Sequence, residues 1–460
     1  MRAREPLGAI QQGGAVALRP GDAGKPAQLS RARAWIGLSG MVATALVITL
    51  SASHTRLLLP QSLRAVPESL RPVPGWLAGV FESVSLNIGT VGIVIVLALM
   101  FISYAVALRA RRLSRRSVLT SIGVLNGLVL VAPPLLSTDL FSYIAYGRLG
   151  ATYGINPYLY GPNVISFDHL YHFVGTQWTH TPTAYGPLFT ALSYPLSELG
   201  IAANVFAYKA IAALSCAALV ALVWHAARLR GMDPVKAVAL VGLNPVIVIY
   251  GVGGGHNDLL MLAILVAGIY VLLREREGAG GAMIIAATAI KLTAGVLLPF
   301  AIAAGAGRRA GRRVATSARA RLIAGAGLAT ALFAALGLVM FGSGPLHLLG
   351  TLEGIQGGGG LHSIPGFILV ALGLKRLDGT LDNVLHVLYA IQLVWLVRRV
   401  WLDELDWITA AGWATVGLLV TAGLLMPWYI AWLIPLAALS SDRRLWLTAL
   451  ALTSLGLTSL

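Results

Sequence analysis

Long apolar runs separated by short, mostly basic loops set the pattern of this chain. A helix rising about 1.5 Å per residue needs about 20 apolar residues to cross the hydrocarbon of a bilayer. Runs of that kind fall at residues 34–53, 85–108, 117–137, 203–227, 234–252, 257–273, 320–341, 380–397, 406–425 and 443–460. A shorter run at 427–440 carries Pro427 and Pro435 and is also a candidate to cross. The pattern predicts an all-α polytopic integral membrane protein. Residues 188–200 are short and contain Pro195, and read as a re-entrant or surface-lying helix. Residues 280–305 carry Lys291 at mid-run and join two positive loops, which predicts a pair of half-helices returning to one side. Residues 363–374 are read in the same way. Broken helices at membrane depth are tolerated where they line a cavity. The expected count is about eleven full spans, or about 11–13 transmembrane helices once the broken elements are included.

Orientation follows from lysine and arginine in the loops. Residues 1–33 are rich in Gly, Pro, Ala and Gln, lack apolar periodicity and read as a disordered basic tail on the cytoplasmic side. The loops 109–116 and 308–321 are arginine-rich and belong on that same side. Residues 34–460 then form one transmembrane domain, with 137–187 and the loop 341–365 on the outer face. The run from Trp35 reads as a signal anchor rather than a cleaved leader.

Composition narrows the class. Of 460 residues 57% are hydrophobic and 11% charged, where a soluble domain has roughly 25% charged. The net charge of +16 would suggest nucleic acid only if the basic residues formed a soluble patch; they cluster between apolar runs instead, so membrane lipids and not nucleic acid are the expected surroundings. Cys216 is the single cysteine, so disulfides and cysteine metal sites are excluded.

Against this background the stretch 137–187 is unusually polar. Asp139 directly follows an apolar run, and Tyr143, Tyr146 and Arg148 come after it at near-helical spacing. Asn156 precedes Pro157, Tyr158 and Tyr185 follow, and Asp168, His169, His172 and His180 lie between them. Polar density is expensive in a membrane unless it faces water, a cavity or a substrate. On the expected topology the outer polar residues converge, adding His256, Asn257 and Asp258 after three glycines, His362 in the loop 341–365, and Trp428 and Tyr429. Asp139 is a candidate base, or a helix-capping acid after Ser137 and Thr138. Asp258 is a candidate second acid, or a cap for the next helix. Lys291 and Arg148 are candidate phosphate binders, although a lysine can snorkel to the interface and Arg148 can pair with Asp139 or Asp168. The aromatics suit sugar faces, and equally suit a membrane interface. The histidines lack a second ligand pair at a recognisable spacing, so no metal site is expected; no phosphate-binding loop or dinucleotide pattern is present.

Asp139 to Tyr143 (DLFSY), Tyr146 to Arg148 (YGR), Gly154 to Tyr158 (GINPY) and Tyr185 to Phe189 (YGPLF) together resemble the first outer loop of the GT-C polytopic glycosyltransferases. The resemblance is to the polyprenyl-phosphomannose-dependent alpha-1,6-mannosyltransferases of actinobacteria. Gly254 to Asp258 (GGHND), Ala289 to Thr293 (AIKLT) and Pro427 to Trp432 (PWYIAW) extend it in order over residues 117–440. It implies a GT-C fold with Asp139 as general base on the acceptor hydroxyl. It further implies a polyprenyl-phosphate mannose donor, inversion at the anomeric carbon, and a mannan or lipoglycan acceptor at the outer face of the plasma membrane. Lys291, Arg148 or His256 would stabilise the leaving phosphate, with no metal or other cofactor. The chain ends soon after its last apolar run, so acceptor binding is expected in the membrane-embedded part. Two alternatives remain at this point: a transferase for another polyprenyl-phosphate sugar such as arabinose, and a flippase for a lipid-linked sugar. A flippase would need access from both faces, whereas the acids here lie at one.

Overall fold

The computed structural model describes residues 25–55, 57–60, 62–63, 83–84, 86–305, 312–356, 363–373 and 378–458. Among the described residues all the regular structure is helix, without strands, and the chain is an all-α polytopic membrane fold. Five helices are long and apolar enough to cross a bilayer: Arg31–Ser51, Gly89–Leu108, Ile201–Leu229, Thr316–Phe341 and Asn383–Trp401. Pro234–Gly242 and Ile247–Gly253 make a sixth if taken as one span bent by 59°. Other apolar runs become shorter helices at Asp258–Leu273, Leu292–Ala304, Trp407–Thr421 and Pro427–Ala438. Val339 is 85% exposed, Leu328 75% and Val394 71%, which suits lipid rather than water as their surroundings.

The first helix starts at Lys25, inside the stretch expected to be a disordered tail; residues 1–24 of that tail lie outside the described residues. Extending a helix costs far less than nucleating one, so the span draws the preceding residues into its own first turns.

The bend at 242–247 has a local cause. Pro245 has no N–H to give the ladder, and Asn244 substitutes its side chain. Its Oδ1 accepts from Val246 N (3.0 Å), and its Nδ2 donates to Tyr104 Oη (3.2 Å) and Thr453 Oγ1 (3.0 Å). Three helices are thereby tied at a buried polar knot, where every bond removes a group that hydrocarbon could not satisfy.

Residues 277–304 form the half-helix pair. Glu277–Thr288 runs in, Leu292–Val296 makes a tight 3₁₀ turn, and Leu297–Ala304 runs out. Both outer ends meet neighbouring turns of one helix: Glu277 Oε2 is 3.2 Å from Arg321 Nε, and Arg319 donates to the carbonyls of Ile302 and Ala303. Pro187–Leu196 is 10 residues long, about 15 Å, half of what a crossing needs.

Helix directions separate the two ends of the molecule. One end collects arginine: Arg115 stacks over Trp224, Arg319 over Trp401, and Arg230 pairs with Asp406 at 3.0 Å. The other end collects Asp139, the His256 turn, the Lys291 apex and Trp428.

Candidate active site

Four separated segments meet at that second end. The turn after Arg115–Val131 hands the chain to the helix Asp139–Ala151. Leu135 N donates to Gly253 O (3.1 Å), which joins this turn to the start of the His256 turn, and Asp139 N donates to Ser137 Oγ (3.2 Å). Thr138 at the N-cap makes no side-chain cap bond, so Asp139 sits in the first helical turn, where the macrodipole favours an acid. Its side chain is 13% exposed, and its Oδ2 lies 3.7 Å from His256 Nδ1.

Asp258 opens the helix Asp258–Leu273, and its neighbour Asn257 makes no cap bond either. Its carboxylate is spent elsewhere. Oδ1 accepts from Lys291 Nζ (2.8 Å) and Trp432 Nε1 (2.5 Å), while Oδ2 is 3.9 Å from His256 Nδ1 and has no hydrogen bond. The His256 ring is fully buried and stacks on Trp428 (4.0 Å between centroids, 26°). Its Nδ1 therefore faces both carboxylates and also Tyr143 Oη at 3.5 Å. Tyr143 Oη further donates to Asn257 Oδ1 (3.4 Å), and its ring packs edge-on against Tyr185.

Lys291 stands at the extended residue between Glu277–Thr288 and the 3₁₀ turn. Its ammonium faces the rings of Tyr429 (4.7 Å), Trp432 (5.2 Å) and Tyr185 (5.9 Å), distances at which a cation gains from the ring quadrupole. The apex is braced by the polar loop: Gly186 N donates to Ile290 O (2.9 Å) and Leu188 N to Ala289 O (3.0 Å). A Cβ on Gly186 would come 2.2 Å from Ala289 O, so glycine alone fits there.

Asp139 belongs to the polar loop and not to a span. Burial pushes its carboxyl from the ordinary 3.8 up to about 7, with the Lys291 charge opposing and the Asp258 charge adding to the rise. Two carboxylates that share one neighbourhood resist ionising together. The result is a carboxylate able to take a proton near neutral pH, beside an ammonium with N–H bonds to spare.

Of the candidate residues, Asp139, Tyr143, Tyr185, His256, Asn257, Asp258, Lys291, Trp428 and Tyr429 come together. Tyr146 lies close by but donates to Thr181 O (3.0 Å), holding the loop's path. Arg148 does not join the cluster. Its Nη1 is bound to both oxygens of Asp168 (2.6 and 2.9 Å), which also accepts from Tyr153 Oη (2.8 Å), so its charge is committed within the loop. Asn156 donates to Phe341 O (2.7 Å), and Tyr158, 1% exposed, donates to Tyr185 O (2.9 Å); both anchor the loop. His362 lies outside the described residues. Trp432 was not among the candidates and makes the shortest bond to Asp258; the signal was its place four residues after Trp428 in the same PWYIAW stretch. Among the described residues no group of three or more His, Cys, Asp or Glu is placed to hold a metal ion.

A family model described as "Alpha-(1->6)-mannopyranosyltransferase, N-terminal domain" matches residues 35–307, which takes in Asp139, His256, Asp258 and Lys291. The chain is 35% identical over 178 residues to alpha-(1->6)-mannopyranosyltransferase A of Mycobacterium tuberculosis, covering 38% of this chain and 34% of that protein. It is 30% identical over 203 residues to a probable alpha-(1->6)-mannopyranosyltransferase of Mycolicibacterium smegmatis, covering 43% and 36%. With alpha-(1->6)-mannopyranosyltransferase A of Corynebacterium glutamicum it shares 30% over 177 residues, covering 38% and 36%. The matched stretch thus spans about a third of these relatives' length. No solved structure matches.

Proposed function

Because the chain belongs to the alpha-(1->6)-mannopyranosyltransferase family, we propose that it transfers mannose from polyprenyl-phosphate mannose to a hydroxyl of an alpha-1,6-mannan or lipoglycan acceptor. The observation that carries this reading is the Asp139 carboxylate, partly exposed and 3.7 Å from His256, next to an Asp258–Lys291 pair at 2.8 Å. In this reading the acceptor oxygen attacks the anomeric carbon of the carrier-bound mannose. The bond from that carbon to the phosphate oxygen breaks, the hydroxyl proton passes to Asp139, and the carrier phosphate leaves with one more negative charge. A single displacement from the opposite face inverts the anomeric carbon. A positioned base contributes about 10²- to 10⁴-fold, and the Lys291 ammonium answers the charge that develops on the phosphate. His256 Nδ1 stands between the two carboxylates, 3.7 Å from Asp139 and 3.9 Å from Asp258. No metal is required, since a phosphate monoester is a competent leaving group.

The relatives' names favour mannose over arabinose. Segregation of arginine to one end of the molecule supports a site facing away from the cytoplasm, with the protein in the plasma membrane. The site itself favours the enzyme over a flippase, because Asp139 and the Asp258–Lys291 pair sit together at one end, while the acids at the arginine end, Asp406 and Glu277, are paired with Arg230 and Arg321.

The test is transfer of labelled mannose from synthetic polyprenyl-phosphate mannose to a short alpha-1,6-mannan, with purified wild type and Asp139→Asn, in EDTA. Product from wild type alone is expected. Equal product from Asp139→Asn removes the base assignment, and loss of wild-type product on adding EDTA removes metal independence. No product without EDTA either rejects this donor and turns the search to other polyprenyl-phosphate sugars.

A further inference from the structure

Lys209 lies fully buried within the Ile201–Leu229 span, outside the Asp139–His256–Asp258–Lys291 cluster. Its ammonium donates to the carbonyls of Ala132 and Pro133, at 3.2 Å to the latter. An ionisable group at this depth is expensive and calls for a function. A helix leaves its last carbonyls without helical partners, and Pro133 and Pro134 supply no N–H to the turn that follows. Lys209 supplies the missing donors from a neighbouring helix.

That turn ends in Asp139. It is pinned at Leu135 by Gly253 O and at Leu136 by Leu58 O (2.9 Å), and Leu136 has a φ of 62°. A leucine in the left-handed region is strained and persists only where surrounding bonds over-determine it. The lysine stem also reaches the other half of the site. A Cβ on Gly255 (φ 69°) would lie 3.3 Å from Lys209 Cγ, and Gly255 directly precedes His256. One turn beneath the loop, the adjacent Tyr208 packs its ring on Tyr143 (5.6 Å). A single side chain thus bonds the backbone leading into Asp139 and fills the space beside Gly255, where a Cβ would otherwise point, just ahead of His256.

We propose that Lys209 is a positioning residue: by clamping the Ala132 and Pro133 carbonyls across Gly255, it holds the 132–138 turn so that Asp139 meets His256. The activity arm of the test rests on Asp139 acting as the base, so a second arm reads the turn directly. Full-length wild type, Lys209→Met and Lys209→Arg are compared in nanodiscs. In hydrogen–deuterium exchange, Lys209→Met should speed the amides of residues 132–142 at least tenfold while Gly89–Leu108 and the melting temperature stay within error. For transfer, a misplacement near 1 Å loses about 100-fold, so kcat should fall about 100-fold with donor KM unchanged, and Lys209→Arg should recover most of it. Unchanged exchange at 132–142, or protection lost across the whole protein with a lowered melting temperature, overturns the proposal. If wild type transfers no mannose but the local exchange effect is seen, the donor assignment fails and the clamp stands.

Discussion

Asp139 provides a pH test whose direction can be worked out residue by residue. With its carboxyl at about 7, the ionised fraction is about 1% at pH 5, half at pH 7 and about 90% at pH 8. A base works only when ionised, so kcat/KM for the donor should rise about tenfold per pH unit up to about 6.5 and level off above 7.5. Two neutralising substitutions should move that inflection in opposite directions. Lys291→Met removes the cation that opposes the rise, so the inflection moves up; Asp258→Asn removes the anion that adds to it, so the inflection moves down. Both also reduce the rate, but the position of the inflection reads Asp139 alone. Stability carries the matching sign. A carboxyl raised in the folded state is most favourable to folding below about pH 4, and that contribution is lost as pH climbs through about 7. Asp139→Asn should remove this slope, gaining at most about 4 kcal/mol above pH 7. The assay is initial-rate transfer in nanodiscs from pH 5 to 9 with a fluorescent prenyl donor. An inflection near 4 in wild type, or shifts of the same direction in the two variants, would refute the reasoning.

Arg148→Met should lower the melting temperature by several degrees and leave donor KM unchanged. The substitution strands Asp168, which burial works to raise but which hydrogen bonds from Leu170 N–H, Tyr153 and Arg148 hold below its usual range; breaking such a pair costs about 3 kcal/mol. A raised KM with an unchanged melting temperature would return Arg148 to the phosphate. Trp432→Phe keeps the stacking on Tyr429 (4.4 Å) but deletes the indole N–H that Asp258 accepts, a bond to a charged group worth about 1.5–3 kcal/mol. Transfer should drop about tenfold or more with the fold intact, and wild-type rates would exclude Trp432 from the site.

What the sequence by itself determined follows from the energetics of hydrocarbon. Membrane lipid forbids unsatisfied backbone and isolated charge, so apolar runs marked the helices and Asp139, Asp258 and Lys291 stood out as groups that needed a reason. The same logic predicted the half-helix pair around Lys291, because its flanking arginines had to lie on one side. Close contacts were another matter. Arg148 is nine residues from Asp139 and twenty from Asp168, and only the folded loop decides that the farther acid is its partner. Asn156 and Tyr158 have the chemistry of sugar binders, yet their bonds run to Phe341 and Tyr185. Trp432 looks like an ordinary member of an apolar run, and Lys209 is a lone charge in one with no partner visible along the chain, until helices remote in sequence bring Asp258 and the Ala132 carbonyl within reach. Hydropathy is a property of single residues and their near neighbours, so it is legible along the chain. Hydrogen-bond partners 77 or 174 residues apart depend on how helices cross and turn, and only the tertiary structure decided them.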